Sequence, residues 1–313
     1  MSQNRPSWGI VSTIRAPLAD ILRFAAHHLD LGADRLHLFL DEPNRHAVRV
    51  LRRNPKIEVR VCTDDFWQRR KIERPEKHQV RQSKNASFIY GRTDLDWLTH
   101  IDVDEFLWSS TPIPDLLQAV PQETPAVRVR PIEALAGGKD HYKAFIPAGP
   151  DRPELIETIY PNYGAFLPSG FLSHTQGKLF VRTGIRHLKD RIHNIAVENE
   201  IVPCNVELSE VNLCHHHAPD WDHWYAHYRF RMARGSYQPG LAPNVARKLG
   251  GMNKHELLSW IEAEQGLEGL RAFFDEMSAA DPGVRARLNE LGMVLHRPLH
   301  LDEKVAKHFP GSC

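Results

Sequence analysis

Three carboxylates close the segment Trp97-Leu98-Thr99-His100-Ile101-Asp102-Val103-Asp104-Glu105-Phe106. The apolar run before them is too brief for a buried helix and reads as a buried central strand, Trp97 to Val103. The acids then fall at the strand's carboxyl end, where open α/β sheets bind ligands. Side chains repeat every second residue along a strand, so Asp102 and Asp104 share a side. Two carboxylates held that close repel each other unless a cation sits between them, and oxygen ligands suit Mg²⁺ or Mn²⁺. A bare Asp-x-Asp is more often a solvated strand end; the hydrophobic strand before this one tips the reading toward a metal site.

A second cluster, Cys214-His215-His216-His217, follows Val211-Asn212-Leu213 and so also falls at a candidate strand end. Imidazole is a common ligand for Mn²⁺ and Zn²⁺, and one histidine joining two carboxylates makes a metal site. His215 and His217 share one side of an extended chain and His216 opposes them, so the three cannot all face one ion. Within Arg81-Gln82-Ser83-Lys84-Asn85-Ala86, Arg81 and Asn85 stand one helical turn apart, able to meet an anionic, hydrogen-bonding ligand together. Asp41 and Glu42 end a second strand on the same sheet edge as Asp102. Lys178 and Arg182 share a strand face and begin a basic segment, continued by Arg186, His187, Lys189, Arg191 and His193, that suits a diphosphate. The plainer alternative is surface or structural histidines for the cluster, a solvated helix face for Arg81 and Asn85, and a charged strand edge for the basic segment.

The elements that must position these residues alternate. Ser7 to Ile14 is a strand candidate, and Pro17 opens a helix whose apolar face is Leu18, Ile21, Leu22, Ala25 and Leu29, with Gly32 as its stop. Leu36, Leu38 and Leu40 mark a second strand, His46 to Arg53 a short helix, and Ile57, Val59 and Val61 a third strand. Glu76 to Tyr90 reads as a helix before the Trp97–Val103 strand. This order predicts an α/β fold with a mostly parallel twisted sheet and helices on both faces. Residues 131 to 185, punctuated by Gly137-Gly138, Pro147, Pro153, Pro161 and Pro168-Ser169-Gly170, read as a long irregular segment of the kind used for acceptor loops or lids. From about Asp220 the chain is helical again, with a capping box at Asn253-Lys254-His255-Glu256 and a last helix opening at Ala279-Ala280-Asp281-Pro282.

With 313 residues, 42% hydrophobic and 25% charged, the chain has the make-up of an ordinary soluble globular protein. A formal net charge of +1 gives no global field toward nucleic acid or an anionic membrane. The four cysteines, Cys62, Cys204, Cys214 and Cys313, have no CxxC spacing and suit a reducing compartment. Met1 to Arg15 lacks the apolar core of a signal peptide, and no stretch approaches a membrane span. The expectation is a cytoplasmic protein with no nucleic-acid partner and no integral membrane segment.

Taken together, the chain resembles the family 2-like glycosyltransferases with a GT-A nucleotide-sugar-binding fold, nearest the bacterial group related to the family 92 enzymes. The matching pieces are Leu22 to Gly32 (LRFAAHHLDLG), Arg81 to Ala86, Asp96 to Leu107 (DWLTHIDVDEFL), Gly177 to Arg182 (GKLFVR), His193-Asn194, and His217 followed by Arg234-Gly235. They cover about residues 8 to 236. The resemblance implies a GT-A-like domain over 1–218 and a helical extension over 219–313. It implies that Asp102 and Asp104 bind Mn²⁺ or Mg²⁺ bridging the diphosphate of a nucleotide-sugar, a UDP-sugar foremost, with His217 or its neighbour His216 completing the metal site. Thr13, Arg15 and Asp41 would contact base and ribose, with Arg81, Asn85, Lys178 and Arg182 also on the donor. The implied reaction inverts the anomeric carbon and moves a sugar to a glycan or lipid-linked acceptor hydroxyl. It needs a carboxylate base, and Asp190 is the first candidate before Glu157, Asp220 and Asp222. The chain departs from relatives where they carry an Asn-Glu pair after the first strand and a Ser-x-Asp-Gly turn after the second. Here those places read Arg15-Ala16-Pro17 and Asp41-Glu42-Pro43-Asn44, which bears on donor identity.

Two other classes compete. A metal-dependent hydrolase or phosphoesterase would use the same acids, but His27-His28 supplies no His-x-His pattern and one acid pair is short of a two-metal site. A non-catalytic nucleotide- or carbohydrate-binding module would keep the fold without turnover.

Overall fold

The computed structural model describes residues 5–312. The elements run β1 (Trp8–Ile14), α1 (Leu18–Asp30), β2 (Arg35–Leu40), α2 (Arg45–Leu51), β3 (Ile57–Val61), α3 (Asp64–Arg69) and α4 (His78–Tyr90). Next come β4 (Trp97–His100), β5 (Glu105–Trp108), α5 (Ile113–Gln118), β6 (Ala126–Ala134), β7 (His141–Lys143) and α6 (Arg152–Ile159). Five strands follow: β8 (Lys178–Arg182), β9 (Leu188–Asp190), β10 (Ile195–Val197), β11 (Glu200–Val202) and β12 (Glu207–His215). The chain closes with α7 (Trp221–Arg234), α8 (Lys254–Met277), α9 (Pro282–Glu290), β13 (Val294–His296) and α10 (Leu301–His308). It divides into two compact units. The first holds the residues up to 130 with 176–213 and the stretch from 299, and the second holds 131–175 with 214–298.

In the first unit β4, β1, β2 and β3 are neighbours in that order, all parallel. β8 adds antiparallel to the other side of β4, and the first half of β6 pairs antiparallel with β8. The Trp97 strand is therefore central in a mixed α/β architecture whose heart is parallel. All seven residues of β1 are buried, as a parallel strand covered on both faces requires. On α1, Ile21, Leu22, Ala25 and Leu29 are buried at helical spacing, and Gly32 ends the turn at φ +96°. His27 and His28 are buried on the same helix, and desolvation pushes both imidazoles well down, to about 4 for His27. α10 packs on α1 through Arg23 to Asp302 (2.8 Å) and Lys307 to Asp30 (2.5 Å). This helix lies beyond the one opening at Pro282, which is the last that sequence periodicity predicts.

The strand expected over Trp97–Val103 ends at His100. Asp102 to Asp104 form a turn instead, closed by Glu105 N donating to Asp102 O (3.1 Å) and Asp102 N donating to Glu105 Oε2 (2.8 Å). Strand alternation therefore does not orient the acid pair; a side-chain-to-backbone bond from the third acid does.

The second unit accounts for the segment read as irregular. Leu135, Ile146, Ile156, Ile159, Tyr160 and Leu172 are buried in one core with Trp224, Tyr228, Leu257, Phe273 and Phe274. A division expected at residue 218 thus falls inside this unit, because 131–175 gets its apolar cover from the late helices. The capping box of α8 is formed, with Asn253 and Glu256 bonded reciprocally at 2.9 Å, and the helix kinks at Gly266. Asp281 caps α9 through Val284 N at 2.9 Å. Cys62, Cys204 and Cys214 are free and buried; Cys313 lies outside the described residues. No described helix is long and apolar enough to cross a membrane.

Candidate functional site

Strand order decides where ligands can enter the first unit. The chain runs from β1 to β2 to β3 on one flank, then returns to pair β4 on the other flank of β1. In open α/β sheets ligands bind at the carboxyl ends of strands where the order reverses in this way. Thr13 and Arg15 lie at the end of β1, Asp41 follows β2, and the acidic turn follows β4. α4 packs against β1 and supplies three polar side chains to this layer.

Arg81 grips the buried carboxylate of Asp41 as a fork, Nη2 to Oδ2 at 2.6 Å and Nε to both oxygens at 2.9 and 3.0 Å. His78 and Arg74 stand 3.5 and 3.4 Å from the same group. Burial alone would raise the Asp41 pKa, but the bonds from His78 and Arg81 outweigh it and hold the carboxyl well below its usual range. Asn85, fully buried, donates to Thr13 Oγ1 at 3.1 Å and accepts from Arg70 at 2.7 Å. Gln82 donates to Asp102 Oδ1.

The other oxygen of Asp102 accepts from Lys178 Nζ at 2.7 Å, and the same ammonium stands 3.2 Å from Glu105 Oε2. Lys178 is 1% exposed and Glu105 fully buried. Burial works against the lysine's charge, yet the two acids more than compensate and hold its pKa above the ordinary value. Gly177 makes this placement possible: its φ is +71°, and an added Cβ would collide with the Val129 carbonyl on β6.

His100, one step before the turn, is 2% exposed, and its Nδ1 meets Asp190 Oδ2 at 3.0 Å. Asp190 also accepts from Ile192 N at 3.0 Å, while its own amide donates to Ser87 Oγ. The carboxylate is thus committed to one imidazole and one amide, and His100 Nε2 has no partner among the described atoms. Sequence reading passed over His100; its place two residues before Asp102 was the available signal.

Not every anticipated residue gathers at this end. Arg182 pairs in register with Trp97 at the amino end of β4, a separation from Lys178 of roughly 13 Å at strand rise. Its guanidinium lies 4.3 Å over the Trp97 ring and donates to the carbonyls of Thr124, Val120 and Pro121 at 3.0 to 3.1 Å. A shared strand face did not mean a shared ligand. Arg15 is exposed and pairs with Glu42 at 2.9 Å.

His216 and His217 belong to hydrogen-bond nets within the second unit. His217 is buried, its Nε2 meets Tyr237 Oη at 2.9 Å, and its carbonyl accepts from Arg231 at 2.7 Å. Burial, then Arg231, push its pKa well down. His216 Nε2 meets Tyr142 Oη at 2.8 Å. Of the further base candidates, Asp220 caps α7 through His223 N at 2.7 Å, while Glu157 and Asp222 are exposed.

No family model matches the chain, and no curated protein does. Among solved structures it is similar to a mycobacterial protein at 9% identity and a TM-score of 0.36, covering 67% of this chain and 65% of that one. It is also similar to HddC from Yersinia pseudotuberculosis at 9% identity and a TM-score of 0.29, covering 57% of this chain and 74% of that one. The chain spans under two thirds of the mycobacterial protein's length. At these values neither likeness bears on function.

Charge bookkeeping within the turn defines its chemistry. Asp102, Asp104 and Glu105 place three carboxylates within four residues, and the Lys178 ammonium meets two of them, Asp102 and Glu105. Glu105 is sealed, whereas the Asp102 side chain is 31% exposed. The Asp102 carboxylate is therefore the part of this pairing that is open to solvent.

Proposed function

We propose that this chain is a metal-dependent glycosyltransferase, moving a sugar from a nucleoside-diphosphate sugar to an acceptor hydroxyl on a glycan or lipid. The observation that carries the reading is the acidic turn Asp102–Glu105 at the carboxyl end of a central parallel strand, beside the point where strand order reverses. Asp102 and Asp104 are the residues that would hold Mn²⁺ or Mg²⁺, and such an ion supplies charge stabilisation to a leaving diphosphate. Lys178 and Gln82 fix the Asp102 carboxylate in place. Asp41 held by Arg81, and Thr13 held by Asn85, are buried pairs at the neighbouring strand ends that would support a nucleoside site from beneath. A UDP-sugar is the donor to test first. Asp190, engaged by His100 and Ile192 N, is suited to orienting that imidazole. Donor contacts in this reading rest on Lys178 and not on Arg182, and the metal ligands are the two aspartates without His217.

The test is a melting-temperature screen of nucleoside diphosphates with and without Mn²⁺. A ligand confined to the folded state raises stability by about 2.7 kcal/mol at a hundred times its Kd. Wild type should show a Mn²⁺-dependent shift with one nucleotide. Asp104→Ala, at a half-buried position, should lose that shift while its metal-free unfolding stays cooperative. A panel in which no nucleotide shifts the wild type would sink the reading. An Asp104→Ala chain that unfolds would make the turn structural instead.

A further inference from the structure

The two faces of α4 carry opposite electrostatics. At 3.6 residues per turn, Arg81, Gln82 and Asn85 project to one side, and Gln79, Ser83 and Ser87 to the other. The first face meets acids at Asp41 and Asp102. The second borders a groove of about 880 Å³ within the first unit. Arg69, Arg70 and Lys71 reach it from the end of α3, Lys84 and Arg92 from α4 and the turn after it, and Lys189 and Arg191 from the end of β9. The one carboxylate among its lining residues, Asp190, is buried and turned to His100.

These seven cations are poorly neutralised. Among the described residues only Arg69 makes an ion pair, with Asp65 at 3.6 Å, and both side chains are more than 70% exposed. Two of the arginines are held in place without any acid. Arg70 and Arg92 lie 4.4 and 4.1 Å from the Phe88 ring, and Arg70 is tied further to Asn85 Oδ1 and Lys84 O at 2.7 and 2.8 Å. Crowded like charges destabilise a fold unless an anion offsets them. Fixed guanidinium forks with serine hydroxyls beside them match phosphate oxygens, which Lys then meets as point charges. Ile72, Val80 and Ile192 give the groove an apolar part. Its volume is that of a small-molecule site, not of a track for a long polyanion.

We infer that this groove binds a small phosphate-bearing molecule, through a diphosphate group set beside an apolar moiety. The inference is independent of the transferase reading, since it concerns the opposite face of α4 and needs no turnover and no metal.

The test is calorimetric titration of the full chain with inorganic pyrophosphate in metal-free buffer. One pyrophosphate should bind per chain. Lys71→Glu/Arg191→Glu, both exposed positions, should weaken it at least about tenfold with circular dichroism unchanged. Arg49→Glu/Arg52→Glu, on exposed positions of α2 and the residue after it, is the control and should match wild type. Raising ionic strength from about 0.05 to about 0.5 M should weaken binding, as screening requires. Flotation with phosphatidic acid vesicles against phosphatidylcholine vesicles separates the sources. Vesicle binding lost in the groove variant gives the phosphate to a lipid headgroup, and pyrophosphate binding without vesicle binding gives it to a soluble ligand. Equal affinity in wild type and groove variant, no heat with pyrophosphate, or binding only to a single-stranded oligonucleotide would overturn the inference.

Discussion

Two buried lysines in this chain look alike and are used differently. In the second unit Lys143, fully buried, faces Glu133 Oε1 at 3.4 Å and donates to the carbonyls of Gly170 (2.6 Å) and Met277. Glu133 in turn accepts from Leu172 N at 3.0 Å and Ser173 N at 2.7 Å. The pair closes on itself and pins the 170–173 loop. In the first unit Lys178 faces Asp102 and Glu105, with Asp104 in the same turn, and the Asp102 side chain stays partly open. Burial of an ion pair is therefore no mark of a site. What separates the two pairs is that one partner of Lys178 reaches solvent, whereas Glu133 and Lys143 are both sealed.

The sharpest way to break this comparison is to remove each ammonium while keeping its volume. Lys143→Met should cost about 3–5 kcal/mol, because Glu133 is left charged and sealed. Lys178→Met should cost a similar amount without metal, and millimolar Mn²⁺ should restore part of it, since a cation can replace the lost ammonium beside the solvent-facing Asp102. Mn²⁺ should do nothing for Lys143→Met. Urea midpoints with and without Mn²⁺ measure both. Restoration of both variants would make the effect non-specific, and restoration of neither would deny cation affinity to the turn.

A smaller effect sharpens the distinction along β8 itself. Arg182→Ala removes three carbonyl bonds and the stacking on Trp97, for about 1–3 kcal/mol of stability. Its Mn²⁺-dependent shift with nucleotide should equal that of wild type, whereas a diphosphate role for Arg182 requires the shift to vanish.

What the sequence carried was local. Alternation and helical spacing placed β1, α1, β2, β3 and α4, because each buries one periodic face against the sheet. The acidic block marked the end of a central strand from the types of residue alone. The turn inside it did not follow from alternation, since it is set by the Glu105 carboxylate bonding Asp102 N. Contacts between distant residues left no periodic signal. His100 and Asp190 are 90 residues apart, and Arg81 and Asp41 are 40 apart. The helical extension and the irregular middle segment share a core that neither displays alone, so a single cut at residue 218 had no counterpart in packing. His216 and His217 meet tyrosine hydroxyls at 2.8 and 2.9 Å, contacts that their place in a run of histidines did not display.

The smallest effect lies in how the closed cluster reaches neutrality. Lys254 donates to Leu172 O and to Ser173 O (3.0 Å), the same dipeptide whose amides Glu133 holds. With Lys143 present, a second ammonium would leave this cluster one positive charge in excess. Burial lowers the Lys254 pKa to about 8, Glu133 opposes that fall, and Arg231 and Lys143 add to it. The folded value lies below that of an unfolded lysine, so between about pH 8 and 10.4 the unfolded chain keeps a proton that the folded chain has released. Stability from this group then rises with pH across that window, and a constant penalty persists below it. Lys254→Met removes the titration together with both bonds. The difference in urea midpoint between wild type and variant should thus widen in favour of wild type from pH 8 to 10.4. Parallel curves would mean that Lys254 keeps its proton throughout, and that the closed cluster tolerates the excess charge.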